Sequence, residues 1–345
     1  MVLHHHPMVQ VGIVGASGFT GAELLRLCAA HPELDVRVAT GETMAGTRAA
    51  DLYPSLAAGY PDLSFSAYDA AAVAGLDLVF LGLPHGASQG IVPELLGKVG
   101  HLVDLAADFR LRDPALYPRW YGEAHTAPDL LPAFAYGLPE LFRDEIKATA
   151  HVATPGCYPT AASLALAPLV RAGAVERSGI IVDAASGVSG AGRPARPSTT
   201  FCTVDEDFTA YGLLDHRHTP EMEQVLESSV LFTPHLAPMN RGILATCYAR
   251  PTGSTTTEAL LDLQRSAYAD EPFVVVLEGS PSTKATLGSN AAHVTARYDE
   301  RTGTVLAVAA IDNLTKGASG AAVQCANLLL GLPETTGLPI AGVYP

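Results

Sequence analysis

The amino-acid sequence predicts an α/β fold in two domains, and three observations carry that prediction. Short apolar runs alternate with helical segments from Val9 to Val152, as in a parallel sheet with crossover helices. A glycine turn follows directly on the first apolar run. From Gly179 onward, strand-like runs outnumber helical ones, as in a mixed sheet with helices on one side. The chain's 345 residues suffice for two such cores.

The elements follow in order. Val9–Val14 is a strand, Glu23–Ala30 a helix stopped near His31-Pro32, and Leu34–Thr40 the next strand. Between the first strand and the helix stands Gly15-Ala16-Ser17-Gly18-Phe19-Thr20-Gly21. Small residues there let the backbone approach a pyrophosphate, which the helix N-terminus attracts. Strand, turn, helix and strand together predict a Rossmann-like dinucleotide-binding domain. The glycines run G-x-x-G-x-x-G through Gly12, Gly15 and Gly18, so placement after a strand carries more weight than the pattern. No acid that would grip a ribose 2′-OH stands at Val38–Gly41, where Thr40 ends the second strand; Glu42 lies just beyond, and Arg48 is near, a phosphate contact or equally a surface residue. That favours NADP(H) over NAD(H).

Asp77–Leu81 is a strand that ends in Gly82-Leu83-Pro84, where a parallel sheet presents ligand-facing groups. Gln89–Leu96 is helical, and His101–Leu105 is a strand running into Asp108-Phe109-Arg110. The Arg110 fork suits a substrate phosphate or carboxylate, and equally an ion pair with Asp104 or Asp108. Asp113–Pro139 lacks periodicity, and Ile146–Val152 reads as a last strand.

Pro155-Gly156-Cys157-Tyr158-Pro159-Thr160 precedes an Ala/Leu-rich helix. Free N–H groups at a helix start lower a thiol's pKa, which would present Cys157 as a nucleophile; a small buried thiol is the plainer alternative. After the strand Gly179–Ala185 comes a second glycine/serine loop with Ser186, Gly187, Ser189 and Gly190, whose N–H groups suit a nicotinamide or phosphate. His216-Arg217-His218 stands before a helix reaching Leu226 and offers an acid or base for Cys157. Strands follow at Val230–Pro234, Ile243–Ala249, Phe273–Leu277, His293–Tyr298 and Val305–Ala310, with a helix at Thr255–Tyr268 capped by Thr256 or Thr257. Asn313 and Lys316 precede a helix from Ala321 to Leu330; the Asn313 amide suits either a nicotinamide contact or a helix cap.

Composition narrows the classes. There are 21 Lys plus Arg against 35 Asp plus Glu, a formal charge of −14, which argues against nucleic-acid binding. Five cysteines at wide spacing, without a C-x-x-C pair, suit a reducing, cytoplasmic compartment rather than a disulfide framework or zinc site. No third ligand clusters with His216 and His218, so no metal is expected. No apolar run reaches the roughly 18 residues that span a membrane. The His4-His5-His6 segment lacks the apolar core of a signal peptide.

Seven segments in this order (Gly12–Gly21, Asp108–Arg110, Pro155–Thr160, Ser186–Arg193, His216–Glu221, Pro234–Gly242 and Asp312–Gly320) closely resemble the N-acetyl-gamma-glutamyl-phosphate reductase family, within the semialdehyde dehydrogenase group. The resemblance spans Val11 to Leu332. It implies a dinucleotide-binding domain over 8–153, a catalytic and oligomerisation domain over 154–312, and a helix and tail over 313–345 that return to the first domain. It also implies NADP(H), arginine biosynthesis, an acyl phosphate substrate with inorganic phosphate released, and a homodimer or homotetramer. Cys157 matches the family's nucleophile and His218 its acid/base, while Arg110, His216 and Arg217 fall in the substrate pocket. The family usually carries asparagine before Pro-Gly-Cys, where this chain has Thr154. The residues alone do not separate N-acetylglutamyl phosphate from aspartyl or aminoadipyl phosphate.

Overall fold

A computed structural model describes residues 8–345, and the His4–His6 segment lies outside them. The first sheet comprises β1 (Val9–Val14), β2 (Leu34–Ala39), β3 (Leu78–Leu81), β4 (His101–Asp104), β5 (Ala135–Tyr136) and β6 (His151–Ala153). Their spatial order is β2-β1-β3-β4-β6-β5, with every pairing parallel. Crossover helices cover both faces, so β3 is apolar throughout and fully buried. The chain order reverses beside β1, which opens a crevice at the C-terminal ends of β1 and β3. Gly12 lies within β1, where a Cβ would come 2.8 Å from Leu76, so the turn proper begins at Gly15.

One stretch departs from expectation. Ile146 belongs to the helix Pro139–Lys147, and β6 keeps only His151–Ala153. Pro139 supplies the first helical turn and Ile146 the buried face, so an apolar residue read as strand is a helix's core contact.

The second sheet holds β7 (Ile180–Gly187), β8 (Thr209–Ala210), β9 (Val230–Ala237), β10 (Ile243–Ala249), β11 (Val274–Val276), β12 (Ala292–Asp299) and β13 (Thr304–Ile311). Its order is β11-β12-β13-β10-β7-β9-β8, with mixed parallel and antiparallel pairs. The helix Cys157–Arg171 is buried almost all round and packs on this sheet beside the helices Thr219–Leu226 and Thr257–Ala267. Thr256 caps the last of these through Ala259 N. The opposite face carries the exposed side chains Ile181, Leu231 and Tyr248.

The helix Gly320–Leu329 packs against β4 and the helices Phe19–Ala30 and Pro139–Lys147, so Ala322, Val323 and Ala326 join the first domain's core. Lys316, fully buried, bonds Glu140 and Gln324 at its start. Arg241 bridges the parts by pairing with Glu23 at 2.8 Å and Asp312 at 3.1 Å. Burial would raise Glu23, but Arg26 and Arg241 outweigh it and hold its carboxyl near 2. Among the described residues no helix is long and apolar enough to cross a membrane.

Candidate active site

A cleft of about 740 Å³ opens where the strand ends of the first sheet meet the cysteine helix. Its first wall is the glycine turn. Gly15 has φ +87°, and a Cβ there would lie 2.4 Å from the Gly82 carbonyl oxygen. Ala16 N donates to Thr40 O at 2.7 Å and Gly15 N to Thr40 Oγ1 at 3.1 Å, which fastens the turn to the end of β2. The helix Phe19–Ala30 starts without a side-chain cap or an acid in its first turn, so its N–H groups stay open to an anion. A bare backbone cradle with open donors fits a dinucleotide pyrophosphate. Ser17, Gly18, Phe19, Thr20, Gly82, Leu83 and Pro84 share this wall. Gly21 does not; it lets the helix approach Ala16, whose Cα would sit 2.4 Å from a Cβ. Arg48 is also off the wall, exposed and paired with Asp51 at 2.6 Å.

Cys157 is the first residue of its helix, after an N-cap Gly156 that provides no side-chain bond. Three contacts hold this junction. Gly156 N donates to Glu221 Oε2 at 3.0 Å, the Thr160 hydroxyl donates to Gly156 O at 3.0 Å, and Thr154 N donates to Asp104 O at 2.8 Å. The Thr154 hydroxyl also turns to Asp104 O, at 3.2 Å, so it ties the loop to β4 and leaves the cysteine to Glu221. His218 lies over Gly156, where a Cβ would be 2.4 Å from its Nε2. Gly317 backs the thiol, since a Cβ there would come 2.8 Å from that of Cys157.

The protonation pattern differs from a lowered thiol. Burial pushes the Cys157 thiol up to about 11, against the pull of the Tyr158 N–H and the Arg110 charge. Burial, with His216, Arg110 and Arg217 around it, holds His218 well below the usual imidazole range. Both shifts favour a thiol and a neutral imidazole at rest, and His218, lying over Gly156, lines the same cleft as Cys157.

The remaining expected residues divide. Arg217 lines the cleft and has no ion pair among the described residues. Arg110 lines it too, but its partner is neither Asp104 nor Asp108: Nη1 donates to Glu221 Oε1 at 3.1 Å and Nη2 to Leu105 O at 2.8 Å. His216 is off the wall, edge-on to Tyr158, Tyr211 and Phe232, with Nδ1 accepting from His218 N at 3.2 Å. Burial and then the Arg217 charge lower its imidazole to about 4. Ser189 and Gly190 reach the cleft, whereas Ser186 and Gly187 finish β7 behind them. Gly187 packs where a Cβ would lie 2.7 Å from Arg241 N. Asn313 lines the cleft without capping a helix; its Oδ1 accepts from Gly242 N at 2.7 Å and its Nδ2 donates to Ser189 Oγ at 2.9 Å.

Four site residues gave no usable sequence signal as such: Glu221, His85, Arg193 and Gly317. Glu221 is fully buried and also accepts from Tyr136 at 3.1 Å. His85 faces the cleft with Nδ1 2.7 Å from Asp108 Oδ1. Burial would raise Asp108, but His85 and the Gly86, Ser88 and Gln89 donors outweigh it and hold it near 2. Among the described residues no cluster of three metal-ligating side chains occurs.

Known proteins match this arrangement. The profile described as the NAD binding domain of semialdehyde dehydrogenase matches residues 10–149, and that of its dimerisation domain matches residues 157–313. An N-acetyl-gamma-glutamyl-phosphate reductase of Symbiobacterium thermophilum is 51% identical over 98% of this chain and 99% of that relative. One from Alkalilimnicola ehrlichii is 47% identical over 98% of this chain and 100% of its own length. In fold, the chain is similar to an aspartate semialdehyde dehydrogenase of Vibrio cholerae, with TM-score 0.71, 16% identity, and 94% and 99% of the two chains covered. The enzyme solved with NADP from Candida albicans gives TM-score 0.70 at 15% identity, covering 94% and 98%. With relatives at 51% and 47% identity aligned over nearly the whole chain and both domain profiles matched, the chain belongs to the N-acetyl-gamma-glutamyl-phosphate reductase family of the semialdehyde dehydrogenases.

Proposed function

We propose that the chain reduces N-acetyl-L-glutamyl 5-phosphate to N-acetyl-L-glutamate 5-semialdehyde, with Cys157 as nucleophile and His218 as acid/base. The observation that carries this reading is that the cysteine helix and the glycine turn open onto one cleft. His218 takes the thiol proton as Cys157 Sγ attacks the acyl carbon. Open N–H groups at the helix start favour the oxyanion that forms. Phosphate departs with the C–O electron pair, takes up a proton from solvent, and leaves an acyl group on sulfur. NADP(H), when bound, supplies the hydride that converts this acyl group to the aldehyde. As the C–S bond breaks, the electron pair returns to sulfur and His218 gives its proton back. Arg217, a cation on the wall with no ion pair among the described residues, suits the substrate phosphate or α-carboxylate. Five free cysteines agree with work in a reducing compartment.

The test runs the reaction backwards with phosphate, NADP⁺ and single semialdehydes. N-acetylglutamate semialdehyde should give NADPH only when phosphate is present. Activity confined to aspartate semialdehyde would overturn the substrate.

The same reading includes a homodimer formed through the open face of the second sheet. Ile181, Leu231 and Tyr248 alternate with polar residues there, and a stable domain rarely leaves such a sheet face bare. Leu231→Asp combined with Tyr248→Asp should lower the mass by light scattering from dimer to monomer. An unchanged mass would remove this face as the interface.

A further inference from the structure

NADP(H) exceeds NAD(H) by one phosphate on the adenosine ribose, so selectivity for it calls for positive charge near the end of β2. The residues that the sequence offers there supply no free positive charge. Thr40 Oγ1 accepts from Gly15 N at 3.1 Å, and exposed Arg48 pairs with Asp51 at 2.6 Å. Glu42 stands on the wall instead, an acid that would repel the phosphate, with Oε1 accepting from Tyr68 N at 2.8 Å.

A cation reaches this region from the other domain. Arg193 follows the turn Val188–Ala191, and Gly192 at φ +86° redirects the chain toward the cleft. The Arg193 Nε is enclosed by protein and has no hydrogen-bond partner, and among the described residues its guanidinium forms no ion pair. The Tyr53 hydroxyl donates at 2.8 Å to the O of Ser17, which lines the cleft. Ser17 in turn abuts Gly41, where a Cβ would lie 2.8 Å from the serine Oγ. Arg193 lines the same cleft as Ser17, Thr40 and Gly41, which form its wall at the β2 end. A planar donor fork with an unspent N–H is suited to a phosphate.

We propose that Arg193, supplied by the second domain, binds the 2′-phosphate of NADP(H) in the first domain's nucleotide site. This rests on the NADP(H) reading of the cleft. Cofactor choice then depends on a loop that also carries Ser189, which Asn313 holds beside the cysteine helix. Nucleotide selection and the assembled catalytic face share one segment.

The test is equilibrium binding of NADPH and NADH, followed by fluorescence without substrate, for the wild type, Arg193→Ala and Arg193→Lys. Arg193→Ala should weaken NADPH binding about 10- to 100-fold, the loss expected for a charge-assisted bond to phosphate, and leave NADH within about twofold. Arg193→Lys should fall between, since it keeps the charge and loses the fork. The salt dependence of NADPH binding should flatten in the alanine variant. Equal losses for both nucleotides would make Arg193 a pyrophosphate ligand, and no loss would make it a surface arginine; either overturns the proposal. A wild type without preference for NADPH would instead overturn the cofactor reading beneath it. Unchanged thermal midpoints would separate all these outcomes from misfolding.

Discussion

Cys157→Ser is expected to bind NADPH as the wild type does and to lose turnover by about 10³-fold or more. A serine hydroxyl occupies nearly the same volume and leaves the Gly156–Glu221 contact intact, so the nucleotide wall is undisturbed. What changes is the nucleophile. Burial already holds the thiol near 11, and an alcohol in the same place is far harder to ionise. An oxygen ester also accepts hydride less readily than a thioester. Retained turnover in a steady-state assay would remove Cys157 as nucleophile. The sign of the pH dependence is a further check. With a thiol raised to about 11, the thiolate fraction grows about tenfold for each unit that pH rises toward that value. Iodoacetamide labelling of the Cys157 peptide should therefore keep climbing from pH 7 to pH 10. The peptide must be resolved, because Cys202 is exposed whereas Cys157 is half-buried. A plateau near pH 7 would mean a resting thiolate–imidazolium pair and would overturn the neutral pair described above.

Glu221→Gln is expected to destabilise the fold by about 3 kcal/mol and to cut kcat about 100-fold, with NADPH affinity unchanged. Glu221 is fully buried and receives three donors: Arg110 at 3.1 Å, Tyr136 at 3.1 Å and Gly156 N at 3.0 Å. An amide has the right shape but turns an NH₂ toward one of them and leaves the buried Arg110 without its counter-charge. The cost falls on the Pro-Gly-Cys junction, because Gly156 precedes the nucleophile directly. Denaturant midpoints and steady-state kinetics on one preparation check both effects. If kcat and the midpoint both hold, Glu221 is a bystander to the cysteine loop.

Much of this fold can be read locally. Val9–Val14 is apolar and followed by small residues, so strand and turn are one short-range signal. Pro155-Gly156-Cys157 before an Ala/Leu run is another, and the helix starts at Cys157. Ile146 shows the limit. An apolar residue beside a future strand has no local mark that separates helix from sheet, and packing on the helix Gly320–Leu329 decides it. Lys316 shows the same for polar groups, because its partners Glu140 and Gln324 meet it only in the folded core.

The sequence by itself determined the two-domain α/β class, the nucleotide turn and the cysteine's position at a helix start. Each is a pattern of neighbouring residues, and neighbouring residues govern turns, caps and periodicity. Tertiary structure alone decided the charges. Arg110 could pair with two nearby aspartates and pairs with Glu221 from 111 residues away. The thiol at an open helix start, which a local reading lowers, is raised because the fold removes water from around it. Arg193 reaches the nucleotide site from the other domain. Desolvation and long-range pairing depend on what the whole chain brings to one place, and no stretch of residues carries that information alone.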